Sequence, residues 1–208
     1  MSIEKSNDTF LTERFEDALI YSNRLHAGQL RKGSQVPYIA HLLGVAGLVL
    51  EDGGDEDEAI AALLHDAVED QGGLITLKEI RKRYGPRVAE IVLSVSDTYE
   101  NPKPPWRERK EGYITSIHSA DLSARRVSLA DKVYNARATL MDIKQEGESG
   151  WLRFNGGKEG TLWYYHQLID AFRERGSGKL LQELIRVIGV LEEISEGYNG
   201  DDDHNNDG

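Results

Sequence analysis

Residues 63–70 read LLHDAVED: a histidine and an aspartate side by side, then a glutamate and an aspartate one helical turn later. In a helix Glu69 lies four residues after His65, and Asp70 four after Asp66. The two pairs then stack on adjoining turns of one face. Alanine and leucine fill most of the gaps, which turns that face inward. Four ionisable groups on a buried face are costly unless they hold a metal or handle protons. The stretch therefore marks a candidate active site.

A catalytic divalent ion needs three or four protein ligands and an open position. His65 and Asp66 supply two. His41 stands in the apolar run IAHLLGVAGLVL of 39–50, and Asp131 follows Leu129-Ala130 in LADKVYNAR, so two further buried segments each offer one more donor. The chain has no cysteine, which excludes disulfides and zinc–thiolate sites. Imidazole and carboxylate suit Mn, Fe, Zn or Mg, and two of each suit Mn²⁺ or Fe²⁺ best.

These groups must be positioned by helices, because the apolar period is helical nearly throughout. Residues 10–28 form an amphipathic helix, 39–50 a buried one, and 56–69 a helix whose acidic first turn matches the dipole and which stops at Gln71-Gly72-Gly73. Thr76 is expected to cap the next short helix, and Pro86 starts one over 86–96. The stretch 101–110, NPKPPWRERK, reads as a loop entering a helix, and Asp121 as the N-cap of a helix running to 146. Residues 151–160 read as an irregular link, followed by helices over 159–175 and 178–196. No strand-like alternation or internal repeat occurs. The expected fold is all-α, a single helical domain over 1–197 with an acidic disordered tail over 198–208.

With 36 acidic and 25 basic residues the formal net charge is −11, which argues against nucleic-acid binding. The excess is partly local, in EDGGDEDE at 51–58 and DDDHNNDG at 201–208, both read as solvated. An anionic substrate remains compatible, since cations can gather in a pocket under a negative exterior. No signal-like N-terminus or membrane-length apolar run is present, so a cytoplasmic protein is expected, without membrane partners. Whether copies of the chain form a homo-oligomer is left open.

The ordered set His41, His65-Asp66 and Asp131 resembles the His-Asp (HD) metal-dependent phosphohydrolases. HAGQLRKGSQVPYIAH at 26–41, LLHDAVED at 63–70 and LADKVYNAR at 129–137 narrow the likeness, which covers about residues 10–175. Together they resemble the hydrolase domain of RelA/SpoT enzymes and the small stand-alone alarmone hydrolases. No synthetase or regulatory segment follows, which points to the small class. The resemblance implies Mn²⁺ on His41, His65, Asp66 and Asp131, with Glu69 and Asp70 activating the attacking water. It implies removal of the 3′-pyrophosphate from a guanosine 3′,5′-bis-pyrophosphate. Arg31, Lys32, Lys110 and Lys158 become expected phosphate or nucleotide contacts, and Asn135 matches the family asparagine at the sugar. Tyr38 serves equally as pocket wall or as packing. Ala138 stands where long RelA/SpoT enzymes often carry threonine, which leaves guanine and adenine alarmones open. His26 is expected to be structural, and His118 and His166 to be ordinary helix histidines. The competing readings are hydrolysis of another nucleotide and a module that binds alarmone without turnover.

Overall fold

Helix-start chemistry recurs along the chain in the computed structural model, which describes residues 10–98, 102–174, 176 and 178–201, with side chains of the last helix to 197. The Thr12 hydroxyl accepts the Arg14 amide (3.2 Å) and opens α1 (Glu13–Leu25). Asp55 and Glu58 form a reciprocal capping box at α3 (Glu56–Leu64), and the Asp121 carboxylate accepts the Ala124 amide (2.8 Å) to open α8 (Leu122–Glu146). Between and after them run α2 (Ile39–Glu51), α4 (Ala67–Asp70), α5 (Gly73–Tyr84), α6 (Pro86–Val95) and α7 (Trp106–Ser119). A 3-10 helix (Gly147–Arg153), α9 (Gly157–Arg173) and α10 (Lys179–Asp201) complete the set. Among the described residues there is no strand, only an isolated antiparallel bridge between Leu30 and Pro37.

The centre is α8, packed against α2, α3, α6 and α10. Val127, Ala130, Val133, Ala136 and Ile143 of α8 meet Val45 and Val49 of α2, Ile60 to Leu64 of α3 and Leu184, Ile188 and Leu191 of α10 in one continuous core. Each buried large aliphatic side chain contributes about 1.5–3 kcal/mol relative to exposure. His41, His65 and Asp131 are rooted in this core, which fixes their backbone positions. None of the helices in the described residues is long and apolar enough to cross a membrane.

Three local expectations are corrected. The helix expected over 56–69 breaks at 65–66, because His65 Nδ1 takes the Ala62 carbonyl (2.7 Å) that the continuing backbone would have used. Thr76 is not an N-cap: it is buried inside α5, and its hydroxyl donates to the Gln71 carbonyl that ends α4. Gly72 precedes α5 at φ 117°, a left-handed position that suits glycine. The expected irregular link 151–160 contains the end of the 3-10 helix and the first turn of α9. The tail expected over 198–208 lies, from 202 on, outside the described residues, as do residues 1–9.

The Tyr134 ring of α8 packs directly on Gly44 of α2: a Cβ there would stand 2.0 Å from Tyr134 Cε2. The Tyr134 ring packs edge-on against His41 (5.0 Å), and its hydroxyl donates to the Ala40 carbonyl (3.2 Å). Gly44→Ala must push that ring aside. It is expected to cost about 1–3 kcal/mol in chemical denaturation, as overpacked cores do.

Candidate active site

The break after α3 aims two adjacent side chains at one point. With His65 Nδ1–H donated to the Ala62 carbonyl, His65 Nε2 is the ring nitrogen turned to the centre. That nitrogen lies 3.2 Å from His41 Nε2, 3.1 Å from Asp66 Oδ2 and 3.6 Å from Asp131 Oδ1. His41 Nε2 in turn lies 3.4 Å from Asp66 Oδ2 and 3.3 Å from Asp131 Oδ1. Two imidazoles and two carboxylates, drawn from α2, the α3–α4 turn and α8, thus converge on one centre. Donors spaced about 3 Å apart are what a small divalent cation requires of its ligands. His41, His65 and Asp66 together fit a metal ion, and Asp131 adjoins both imidazoles.

The electrostatics agree. Burial opposes a charge on His65, but the carboxylates of Asp66 and Asp131 outweigh it and hold its imidazolium well above the ordinary histidine value. Burial likewise pushes the carboxyls of Asp66 and Asp131 up. His65 and His41 around the first, and Lys132 with both histidines around the second, hold them well below the usual range. The centre is built to retain positive charge.

Outer partners fix the two carboxylates. Tyr38 donates its hydroxyl to Asp66 Oδ2 (2.6 Å), so it borders the cleft and orients a ligand. Asn135 Nδ2 and Lys132 Nζ donate to the two oxygens of Asp131 (2.6 Å each), and Arg31 Nη2 donates to Asn135 Oδ1 (2.9 Å). Arg31 thereby reaches the metal centre through one intervening amide.

The centre opens into a cleft of about 420 Å³, within the range of small-ligand sites. Arg31, Lys32, Tyr38, Glu69, Lys110 and Asn135 line it together with His41, Asp66 and Asp131. The acidic pair divides. Glu69 lines the cleft, whereas Asp70 is not among its lining residues and receives Gln29 Nε2 (2.9 Å). Burial pushes the Glu69 carboxyl up from the usual range, partly offset by Lys103.

Lys158 is not brought to the cleft. Its ammonium donates to Glu148 Oε1 (2.9 Å) and the Ser195 carbonyl (2.6 Å), tying α9 to the 3-10 helix and to α10. His26 has the structural place expected of it: it bonds Gln29 through Nδ1 (2.8 Å) and stacks on Tyr38 (5.2 Å). His118 and His166 are half-exposed and pair with Glu174 and Glu192.

Sequence reasoning missed Asp97, which follows α6 and receives Arg109 Nη1 and Lys110 Nζ on the same oxygen. It clamps two cations at the cleft wall. Lys110 also sits 4.9 Å over the Tyr164 ring, and burial followed by the charge of Lys132 lowers its pKa. Arg153 and Asn155 were missed too: Asn155 Oδ1 accepts Lys32 (3.0 Å), and Arg153 lies against Gly33. An acid two residues beyond the end of α6 was the available signal for Asp97.

The HD-domain family model matches residues 18–161. The guanosine-3′,5′-bis(diphosphate) 3′-pyrophosphohydrolase MESH1 of Xenopus tropicalis is 38% identical over 138 residues, 65% of this chain and 72% of that protein. The MESH1 of Drosophila melanogaster is 32% identical over 188 residues, 88% of this chain and 99% of its own length. A solved structure described as "A metazoan ortholog of SpoT hydrolyzes ppGpp and plays a role in starvation responses" superposes with TM-score 0.73 at 26% identity. It covers 88% of this chain and 97% of its own. Helical architecture, metal centre and sequence thus agree, and the chain belongs to the HD-domain family, among its RelA/SpoT-type hydrolases.

Proposed function

We propose that this chain removes the 3′-pyrophosphate from guanosine 3′,5′-bis(diphosphate) or its 5′-triphosphate counterpart, releasing GDP or GTP and pyrophosphate. The observation that carries this reading is the meeting of four metal-ligand side chains and one cleft-facing carboxylate at the floor of a cation-lined cleft. The curated relatives, 38% and 32% identical to this chain, bear that activity in their names.

His41, His65, Asp66 and Asp131 would hold the cation, and Mn²⁺ matches their mixed nitrogen and oxygen donors. When bound, a dication supplies Lewis acidity to a phosphoryl oxygen and makes water a better nucleophile. Glu69 accepts the proton of the water that attacks the 3′-linked phosphorus. The bond from that phosphorus to the ribose 3′-oxygen breaks, the oxygen leaves as a hydroxyl with a proton taken from solvent while Glu69 returns the proton of the attacking water to solvent, and pyrophosphate departs. Asp70, held by Gln29, braces the turn that carries Glu69. Arg31, Lys32 and Lys110 bind phosphate oxygens, and Asn135 meets the sugar beside Asp131.

The test is pyrophosphate release by purified protein with Mn²⁺, guanine and adenine alarmones being assayed side by side. Turnover of the guanine compound with a kcat/KM above that of the adenine compound is the expected result. Tight binding without turnover would make the chain an alarmone sensor, and preferential turnover of the adenine compound would replace the substrate.

A further inference from the structure

Glu69 is held from the rim as well as facing the cleft. Lys103, in the loop before α7, sets its ammonium 2.8 Å from Glu69 Oε1 and 3.7 Å from Asp70 Oδ1. It is not among the residues that line the cleft, so it reaches Glu69 from behind. Its backbone is braced. Pro102, Pro104 and Pro105 surround it and fix φ along the loop, and Arg109 Nε donates to the Pro104 carbonyl (3.2 Å). A lysine carried on so stiff a support, against one oxygen of a mostly buried carboxylate, is a placed contact rather than a wandering surface charge.

We propose that Lys103 is a positioning residue for Glu69: it pins Oε1 from the rim, so that the carboxylate stays an oriented anion with Oε2 turned to the cleft. The inference rests on the reading of Glu69 as the base of the hydrolase. The charges around Glu69 make the need plain. Asp66 and Asp70 stand on its own turn, and Asp97 faces it from beyond α6. Lys103 is the cation in contact with it, with Arg109 behind. Burial and the carboxylates of Asp66 and Asp97 favour a protonated, useless base, and Lys103 works against them. Asp97, meanwhile, occupies Arg109 and Lys110 at the cleft wall.

The test is the pH dependence of kcat/KM for alarmone hydrolysis by the full chain with Mn²⁺, in wild type, Lys103→Gln and Lys103→Arg. Removing the cation is expected to move the acid limb about one unit to higher pH, since a nearby opposite charge shifts a carboxyl by that order. KM is expected to stay within about twofold, because a positioning contact does not add substrate binding. Lys103→Arg is expected to restore the limb. A limb that does not move overturns the proposal, as does a raised KM with the limb in place, which would make Lys103 a phosphate contact. A ¹³C-NMR titration of the Glu69 carboxyl in the Mg²⁺-loaded proteins reads the same shift without turnover. If wild type fails to hydrolyse the alarmone, the functional reading falls, while the titration still decides whether Lys103 governs Glu69.

Discussion

Asp131→Asn is expected to abolish Mn²⁺ uptake and to lower kcat/KM at least about a thousandfold, the scale on which loss of a metal's charge stabilisation acts. The side chain keeps its shape in this variant, so packing is nearly unchanged and the effect isolates charge. In the wild-type protein one oxygen of Asp131 faces His41 Nε2 at 3.3 Å and His65 Nε2 at 3.6 Å, while its other oxygen takes Lys132. An amide offers half the acceptor capacity and none of the charge, and Lys132 is left buried without its counter-ion. Metal analysis after dialysis against Mn²⁺ gives the direct reading. Thermal unfolding gives an independent one: ligand at a hundred times its Kd stabilises a folded protein by about 2.7 kcal/mol. For a chain of this size that raises Tm by roughly 5–10 °C. Wild type is expected to show this rise and Asp131→Asn to show none. A variant that still binds Mn²⁺ tightly would remove Asp131 from the ligand set.

The parts of the molecule that follow from local pattern were readable in the residues. The helix N-cap at Asp121, the apolar α2 and the central α8 all express a 3.6-residue period and capping chemistry that tertiary contacts did not override. Convergence of His41, His65, Asp66 and Asp131 was readable because the desolvation of buried ionisable groups must be offset, and a shared metal ion offsets all four at once. What stayed hidden depends on contacts remote in sequence. The break at His65 needs the Ala62 carbonyl to prefer an imidazole over the next backbone amide. The family resemblance made Lys158 an expected phosphate contact, but the docking of α10 offers it the Ser195 carbonyl, 37 residues away. Asp97 and Lys103 matter only through partners remote in sequence, Lys110 for the first and Glu69 for the second. The division of labour between Glu69 and Asp70 was equally invisible. Asp70 is taken up by Gln29, a contact 41 residues away in sequence.

That division yields the second large effect. Glu69→Gln is expected to lower kcat about 10²–10⁴-fold, the contribution of a positioned general base, and to leave Mn²⁺ affinity close to that of wild type. Asp70→Asn is expected to lose at least tenfold less, because its carboxylate is turned to Gln29 outside the cleft and its loss loosens the turn without removing the base. The pH dependence follows from the direction of the shift. Burial pushes the Glu69 carboxyl above the usual glutamate value even with Lys103 opposing. As pH falls through that raised value the base becomes protonated, so the wild-type rate is expected to decline on an acid limb lying above the ordinary carboxylate range. Glu69→Gln cannot titrate there, and its residual rate is expected to lack that limb. Equal losses in the two variants would restore the acidic pair as a joint catalytic unit. An acid limb that survives in Glu69→Gln would assign the base to another group.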